Sequence, residues 1–240
     1  MRSRPTLALQ SFVAPKILVA MGGSEHSLSA LRYSFDLARA QGAVLRILVF
    51  HQGIPRSTLI FSRGAPMQHF TEDWNEAATR TARRVLQEAQ RKASHARIPA
   101  SGEVMAAGLT EEIIHAAPSA DMVFVGRRFH GQLGKGLGPR VERLVRLLHV
   151  PVLVAPSGYR PLQRVLVAYA GKAGGDRALT LGLELSASLD IPMEVLTAAP
   201  LTDRRKQWAR AAEIIGPERI EEVTFRGANR EAAEWILAGS

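Results

Sequence analysis

Lys16-Ile-Leu-Val-Ala-Met21 leads through Gly22-Gly23-Ser24 into an amphipathic segment, 24–41, that sets Leu28, Leu31, Phe35, Leu37 and Ala38 to one side. An apolar run this short, closed by glycines and followed by a helical period, reads as a buried strand feeding a helix. The same alternation continues outward. Strands are expected at 44–50, 100–106, 121–125 and 150–155, and helices at 71–96, 110–117 (capped by Thr110) and 140–148. In the 71–96 helix, Trp74, Ala77, Ala78, Ala82, Val85, Leu86 and Ala89 form the packing stripe, whereas 52–70, with Gly53, Pro55, Gly64 and Pro66, has no clear period and reads as a loop. Strands alternating with helices predict an α/β domain over 14–157, a doubly wound open parallel sheet.

The chain then begins again. At a constant offset of 148 without gaps, Lys16-Ile-Leu-Val-Ala20 meets Arg164-Val-Leu-Val-Ala168, Gly23 meets Gly171, Ala30-Leu31 meets Ala178-Leu179, and Ile47-Leu48 meets Val195-Leu196. Coincidence of both loop and apolar positions marks an internal duplication. The second copy is expected over 162–240, with a helix at 201–215, a strand at 220–226 and a helix at 229–238. Nothing in it corresponds to 121–155, so it is expected to lack the fourth and fifth strands and one wall of any crevice beside its first strand.

Chemistry concentrates in one stretch. The stretch from Gly126 to Gly138 holds five glycines, both ends included, among Arg127, Arg128, Lys135 and Arg140. Glycine lets backbone N–H groups approach an anion, and a helix N-terminus adds a favourable dipole. The formal charge of +9 has the same bias: residues 1–157 carry 20 Lys and Arg against 11 Asp and Glu, and the remainder carries 11 of each. An anionic partner fits this corner. Phe129 is the one aromatic among its basic residues, which argues against specific nucleic-acid recognition.

Composition excludes more than it assigns. There are no cysteines, so disulfides, thiolate metal sites and cysteine nucleophiles are out. No apolar run nears the ~20 residues of a membrane span. The first sixteen residues lack the pattern of a secretory signal, and a cytoplasmic protein with no membrane association is expected. The seven histidines are scattered without metal spacing, so no metal is expected. Ser24 reads as a helix N-cap, and Glu25 and His26 as first-turn surface residues.

On the opening Ile17-Leu-Val-Ala-Met-Gly-Gly-Ser-Glu-His-Ser27, the strand Asp121-Met-Val-Phe-Val-Gly126 and the run from Gly138 through Glu142 to Val150-Pro-Val-Leu-Val154, the chain resembles the universal stress protein family in its tandem two-domain form. The resemblance implies a flavodoxin-like, adenine-nucleotide α-hydrolase-like sheet in order 3-2-1-4-5, a homodimer formed through the fifth strand and, in one branch, ATP as ligand. Carried onto this chain, the ligand-binding positions are Met21 and Gly22, Phe50, then Val125, Gly126, Arg127, Arg128 and Phe129, and finally Gly138, Pro139, Arg140 and Val141. The ATP-binding branch carries G-x2-G-x9-G-[ST] and an Asp closing the first strand. Here eleven residues separate Gly126 from Gly138 instead of twelve, Phe129 stands for the second glycine, Pro139 for the Ser/Thr and Gly22 for the Asp. Pro139 removes a hydroxyl and an N–H donor, and Phe129 obstructs close backbone approach.

The expected function is therefore a non-catalytic stress-response binding protein, whose first domain takes ATP or a related nucleotide, or another phosphorylated ligand, through an altered motif. The alternatives are a nucleotide-hydrolysing enzyme using the same crevice and a salt-sensitive basic nucleic-acid binder. Hydrolysis would need a placed acid near the phosphates, and Glu142 is the one acid close in sequence.

Overall fold

A computed structural model of the chain describes residues 14–51, 65–106, 109–128, 136–198 and 200–227, the side chains of 65–71, 106, 109, 201 and 202 excepted. The chain divides between Tyr159 and Arg160 into two compact units.

In the first unit, strands β1 (Lys16–Met21), β2 (Val44–His51), β3 (Ala100–Ala106), β4 (Met122–Gly126) and β5 (Val152–Ala155) form one sheet in the order β3-β2-β1-β4-β5. All pairings are parallel, with Ile17 opposite Leu45 on one side of β1 and Met122 on the other. This is the expected 3-2-1-4-5 sheet. Helices α1 (Glu25–Gln41), α2 (Ala65–His95), α3 (Leu109–Ala116) and α4 (Pro139–Leu147) alternate with the strands. Side chains of β1 point alternately to opposite faces. Leu18 and Ala20 join Leu48, Phe50, Val123 and Val125 under Ile113 of α3 and Val141 and Leu144 of α4. Ile17, Val19 and Met21 turn to the side on which α1 packs. Leu18, Val19 and Ala20 are wholly buried, as a run covered on both faces requires.

Helix α1 starts where Ser24, in extended conformation, accepts a hydrogen bond from the Ser27 N–H at 3.2 Å, and it ends at Gly42 with φ 66°. Its buried stripe is Ser27, Ala30, Leu31, Ser34, Leu37 and Ala38. Leu28, expected inward, is 49% exposed, because the stripe is rotated by one residue and accommodates Ser27 and Ser34. Their hydroxyls donate back to the Ser24 and Leu31 carbonyls at 2.7 Å.

Helix α2 begins at Ala65, inside the expected loop. Pro66 is its second residue, a position where proline's missing N–H costs nothing, so a residue that reads as a loop signal here opens a helix. Trp74, expected on the packing stripe, is 52% exposed. Thr110 lies inside the first turn of α3 and is itself buried, so it is not the cap expected of it.

The second unit is a parallel sheet in the order β6-β7-β8, from Val165–Ala168, Met193–Thr197 and Val223–Gly227, with helices α5 (Ala173–Leu189) and α6 (Leu201–Ile215). The strand expected from residue 220 begins at Val223, because Ile220–Glu222 form a 3-10 turn. The 148-residue offset persists in backbone geometry. Gly23 and Gly171 both take positive φ, and the C-caps Gly42 and Asp190 are both left-handed, their N–H groups bonded to the Ala38 and Ser186 carbonyls. The helix expected at 229–238 lies outside the described residues. Among the described residues, no helix is long and apolar enough to cross a membrane.

Candidate ligand-binding site

Strand order reverses at β1, whose neighbours β2 and β4 lead away in opposite directions. Beyond the carboxyl ends of the strands at such a point an open α/β sheet leaves a crevice. Met21 ends β1 there and is buried, with half-buried Gly22 next. Phe50, also buried, is the penultimate residue of β2. Val125 and Gly126 end β4, and both are buried. Gly138, Pro139, Arg140 and Val141 open α4, with Arg140 exposed and Val141 fully buried. Phe129 lies outside the described residues, as do Gly131, Gly134 and Lys135.

Around β4 the backbone is tightly tied. The Arg127 N–H donates to the Ala155 carbonyl at 2.8 Å, and the Gly138 N–H donates to the Arg127 carbonyl at 3.1 Å. Arg128 Nη2 donates to the Gly136 carbonyl at 3.0 Å, and Gly136 holds φ 88°, where glycine is favoured. The two ends of the glycine run are thereby fastened together. Ser24 adds a third tie: its hydroxyl donates to the Arg128 carbonyl at 3.0 Å while serving as N-cap to α1.

Gly126 has a different role from the one its motif suggests. A Cβ built on it would lie 2.7 Å from both the carbonyl carbon and the Cβ of His26, and 2.8 Å from the Ser27 nitrogen. Glycine is needed here so that α1 can pack onto the end of β4, which leaves close approach to a phosphate as an unnecessary explanation. Gly138 has φ −72°, a conformation open to any residue.

Charge is concentrated and unbalanced. Arg128 is 7% exposed, Arg127 is half-buried, and the Nε atoms of both are enclosed without a hydrogen-bond partner among the described residues. No ion pair involves either among the described residues. Residues 129–135 contain no acid in their sequence. His26, half-buried, is held below the ordinary imidazole range first by burial and then by the charges of Arg127 and Arg128, against which Glu25 acts weakly. Asp121 lies at the opposite end of the sheet, accepting the Lys16 N–H at 2.7 Å. Glu142 is exposed on α4.

Two residues at this edge escape sequence reading. His26 resembles an ordinary first-turn residue until Gly126 brings β4 against it. His51 prolongs β2 past Phe50. The Thr79 hydroxyl donates to the Asn75 carbonyl at 2.8 Å, so at 3.3 Å it can only accept from His51 Nε2. Burial keeps this ring below the ordinary imidazole range, and its Nδ1 is an enclosed acceptor without a partner among the described residues. A polar residue ending a buried strand at the ligand edge is the signal that could have found it.

Residues 14–156 match the universal stress protein family. The chain belongs to that family. A universal stress protein of Synechocystis sp. is 31% identical over 81 residues, which cover 32% of this chain and 28% of that protein's length. A universal stress protein from Archaeoglobus fulgidus DSM 4304 superposes with a TM-score of 0.68 over 95% of this chain and 85% of its own, at 22% identity. The universal stress protein UspA from Lactobacillus plantarum gives 0.51 over 59% of this chain and 97% of its own, at 15% identity. At these identities the likeness to the solved structures is one of fold. Among the described residues of this universal stress protein, no group of three or more His, Asp or Glu could hold a metal ion.

Proposed function

We propose that this universal stress protein is a non-catalytic receptor whose first unit takes a phosphorylated ligand, of the adenine-nucleotide class, at the carboxyl edge of β1 and β4. One observation carries the reading. Arg128 keeps a cation in a position 7% exposed to solvent, tied through Nη2 to a carbonyl and facing no carboxylate among the described residues. A buried charge left uncompensated costs several kcal/mol, and an anionic ligand removes that cost. Arg127 and the first turn of α4, whose N-cap Gly138 offers no side-chain acceptor, add further donors to the same corner. Among the described residues no carboxylate is ion-paired with either arginine, which favours binding over hydrolysis.

The ligand belongs to the first unit alone in this reading. At the position equivalent to Met21 the second unit has Tyr169, 2% exposed, whose hydroxyl donates to Asp176 at 2.8 Å, and Asp176 is held in turn by Arg210. That strand end is filled by its own side chains. The 162–240 segment is thus read as a partial copy without a ligand role. Among the described residues β5 is the edge strand of its sheet, half-buried from Val152 to Val154, which supports a homodimer through that strand. Light scattering is expected to give twice the chain mass, and Leu153→Lys to give the monomer.

Calorimetry with ATP, AMP and inorganic phosphate tests the function. All three are expected to bind, more weakly to Arg127→Gln and more weakly as salt rises. At a ligand concentration a hundred times Kd, the chain gains about 2.7 kcal/mol of stability. Absence of heat and of thermal stabilisation with every phosphorylated ligand would sink the proposal, and steady phosphate release would replace it with an enzyme.

A further inference from the structure

We infer that His26 is a third, titratable cation of the anion site, so that anion binding at the β4 corner takes up a proton. The inference rests on the reading of that corner as an anion site and adds what makes its affinity depend on pH.

The geometry brings His26 there by necessity. Ser24 fixes the start of α1 by capping the Ser27 N–H and by donating to the Arg128 carbonyl. Gly126 lets the helix settle until a Cβ at that residue would touch the backbone and Cβ of His26 at 2.7 Å. His26 therefore sits over the end of β4, immediately before the two arginines. The charged groups bearing on its ring are Arg127 and Arg128 from the β4 turn and Glu25 from its own helix. Burial first, and then two cations set against one exposed carboxylate, disfavour an imidazolium when no anion is bound. Arg128 supplies an independent sign that an anion belongs here, being nine-tenths buried with Nε unpartnered among the described residues.

An anion opposes the second of these causes. Its charge offsets the two guanidinium fields and favours a positive His26, which then donates to it. Binding and protonation become one linked event. For one proton taken up, affinity falls at most about tenfold per pH unit as pH rises.

Sulfate is the appropriate probe, because its charge is constant between pH 5.5 and 8 and any pH dependence belongs to the protein. Titration calorimetry in two buffers of different ionisation enthalpy measures the protons taken up. The wild-type chain is expected to bind sulfate more tightly as pH falls, with close to one proton taken up. His26→Gln is expected to bind with an affinity that hardly varies, near the wild-type value at pH 8. His26→Lys, carrying a fixed charge, is expected to bind at every pH as the wild type does at pH 5.5. His51→Gln is expected to keep the wild-type slope. Sulfate binding without proton uptake, or an unchanged slope in His26→Gln and His26→Lys, overturns the role of His26 and leaves the anion site standing. A wild-type chain that binds neither sulfate nor nucleotide at any pH overturns both.

Discussion

Replacing Gly126 with alanine separates two roles that a glycine in this position can have. The new Cβ would lie 2.7 Å from two carbon atoms of His26 and 2.8 Å from the Ser27 nitrogen. Non-bonded carbon atoms settle at about 3.5 Å or more, so the contact must open by about 0.8 Å. The obstacle is backbone, and no rotamer change relieves it. Either the first turn of α1 lifts from β4 or β4 shifts within a sheet where Val123, Phe124 and Val125 are fully buried. Overpacking of this kind costs about 1–3 kcal/mol. In a domain of this size each kcal/mol moves the midpoint by about 2–4 °C, so Tm should fall by about 2–12 °C in the absence of any ligand. Gly174→Ala is the matching control. Gly174 lies in the first turn of α5 with no atom within 4 Å of its added Cβ, and alanine there should stabilise by about 0.5–1 kcal/mol. Urea unfolding followed by circular dichroism gives both energies, and amide exchange in β1 and β4 assigns the Gly126 loss to the first unit. If Gly126→Ala were neutral in stability yet abolished ATP binding, the close helix–strand contact would not be what this glycine provides, and approach to a phosphate would be.

Three further outcomes follow from the same geometry. Tyr159 closes the first unit by donating to Asp36 at 2.6 Å, with the Tyr33 ring tilted against it at 5.0 Å and Arg32 over its ring; Tyr159→Phe should cost about 1–2 kcal/mol in urea unfolding. The same hydrogen bond pushes the Tyr159 hydroxyl up to about 12, so above pH 10 the unfolded chain loses this proton first, and stability should decline from there more steeply in wild type than in Tyr159→Phe. His26 and His51 are both held below 6.5, so below that pH the unfolded chain binds more protons than the folded one. Stability should therefore fall as pH drops through 6.5, and His26→Gln with His51→Gln should flatten the fall.

The fold was legible because its signals are local and repeated. A strand such as Ile17 to Ala20, buried on both faces, can only be apolar throughout, and the 148-residue offset doubles every inference drawn from it. Even the left-handed C-cap carries over, glycine at 42 and aspartate at 190. What escaped is positional. Helix rotation by one residue turned Leu28 out and Ser27 in, because buried serines that bond their own helix mimic a polar face. Pro66 reads as a loop signal although it is equally at home in a first helical turn. At the site, the glycines and arginines announce an anion, yet the partners of each are set by contacts over a hundred residues apart, such as Ser24 with Arg128. No spacing rule reports that Gly126 serves α1, or that His26 stands beside two guanidinium groups.

The repeat also allows one residue type to be compared in two environments. Leu18, Ala20 and Leu48 are at most 1% exposed beneath α3 and α4, and the offset maps them onto Leu166, Ala168 and Leu196. Leu166 is 44% exposed and Ala168 is exposed, because both point away from the face on which Val167, Val195 and Val223 meet α5 and α6. Among the described residues nothing replaces Ile113 and Leu144 over this face, where Glu194, opposite Leu166 on the next strand, pairs with Arg164 and Arg226. Leu18→Ala removes a fully enclosed side chain and should cost about 2–5 kcal/mol. Leu166→Ala, made at the same repeat position, should cost less than about 1 kcal/mol, since half-open surface leaves no cavity. Amide exchange read separately in β1 and β6 measures each loss in its own unit. Equal costs would mean that in solution the second sheet is covered on both faces, as the first is, and that its retained leucines are core residues.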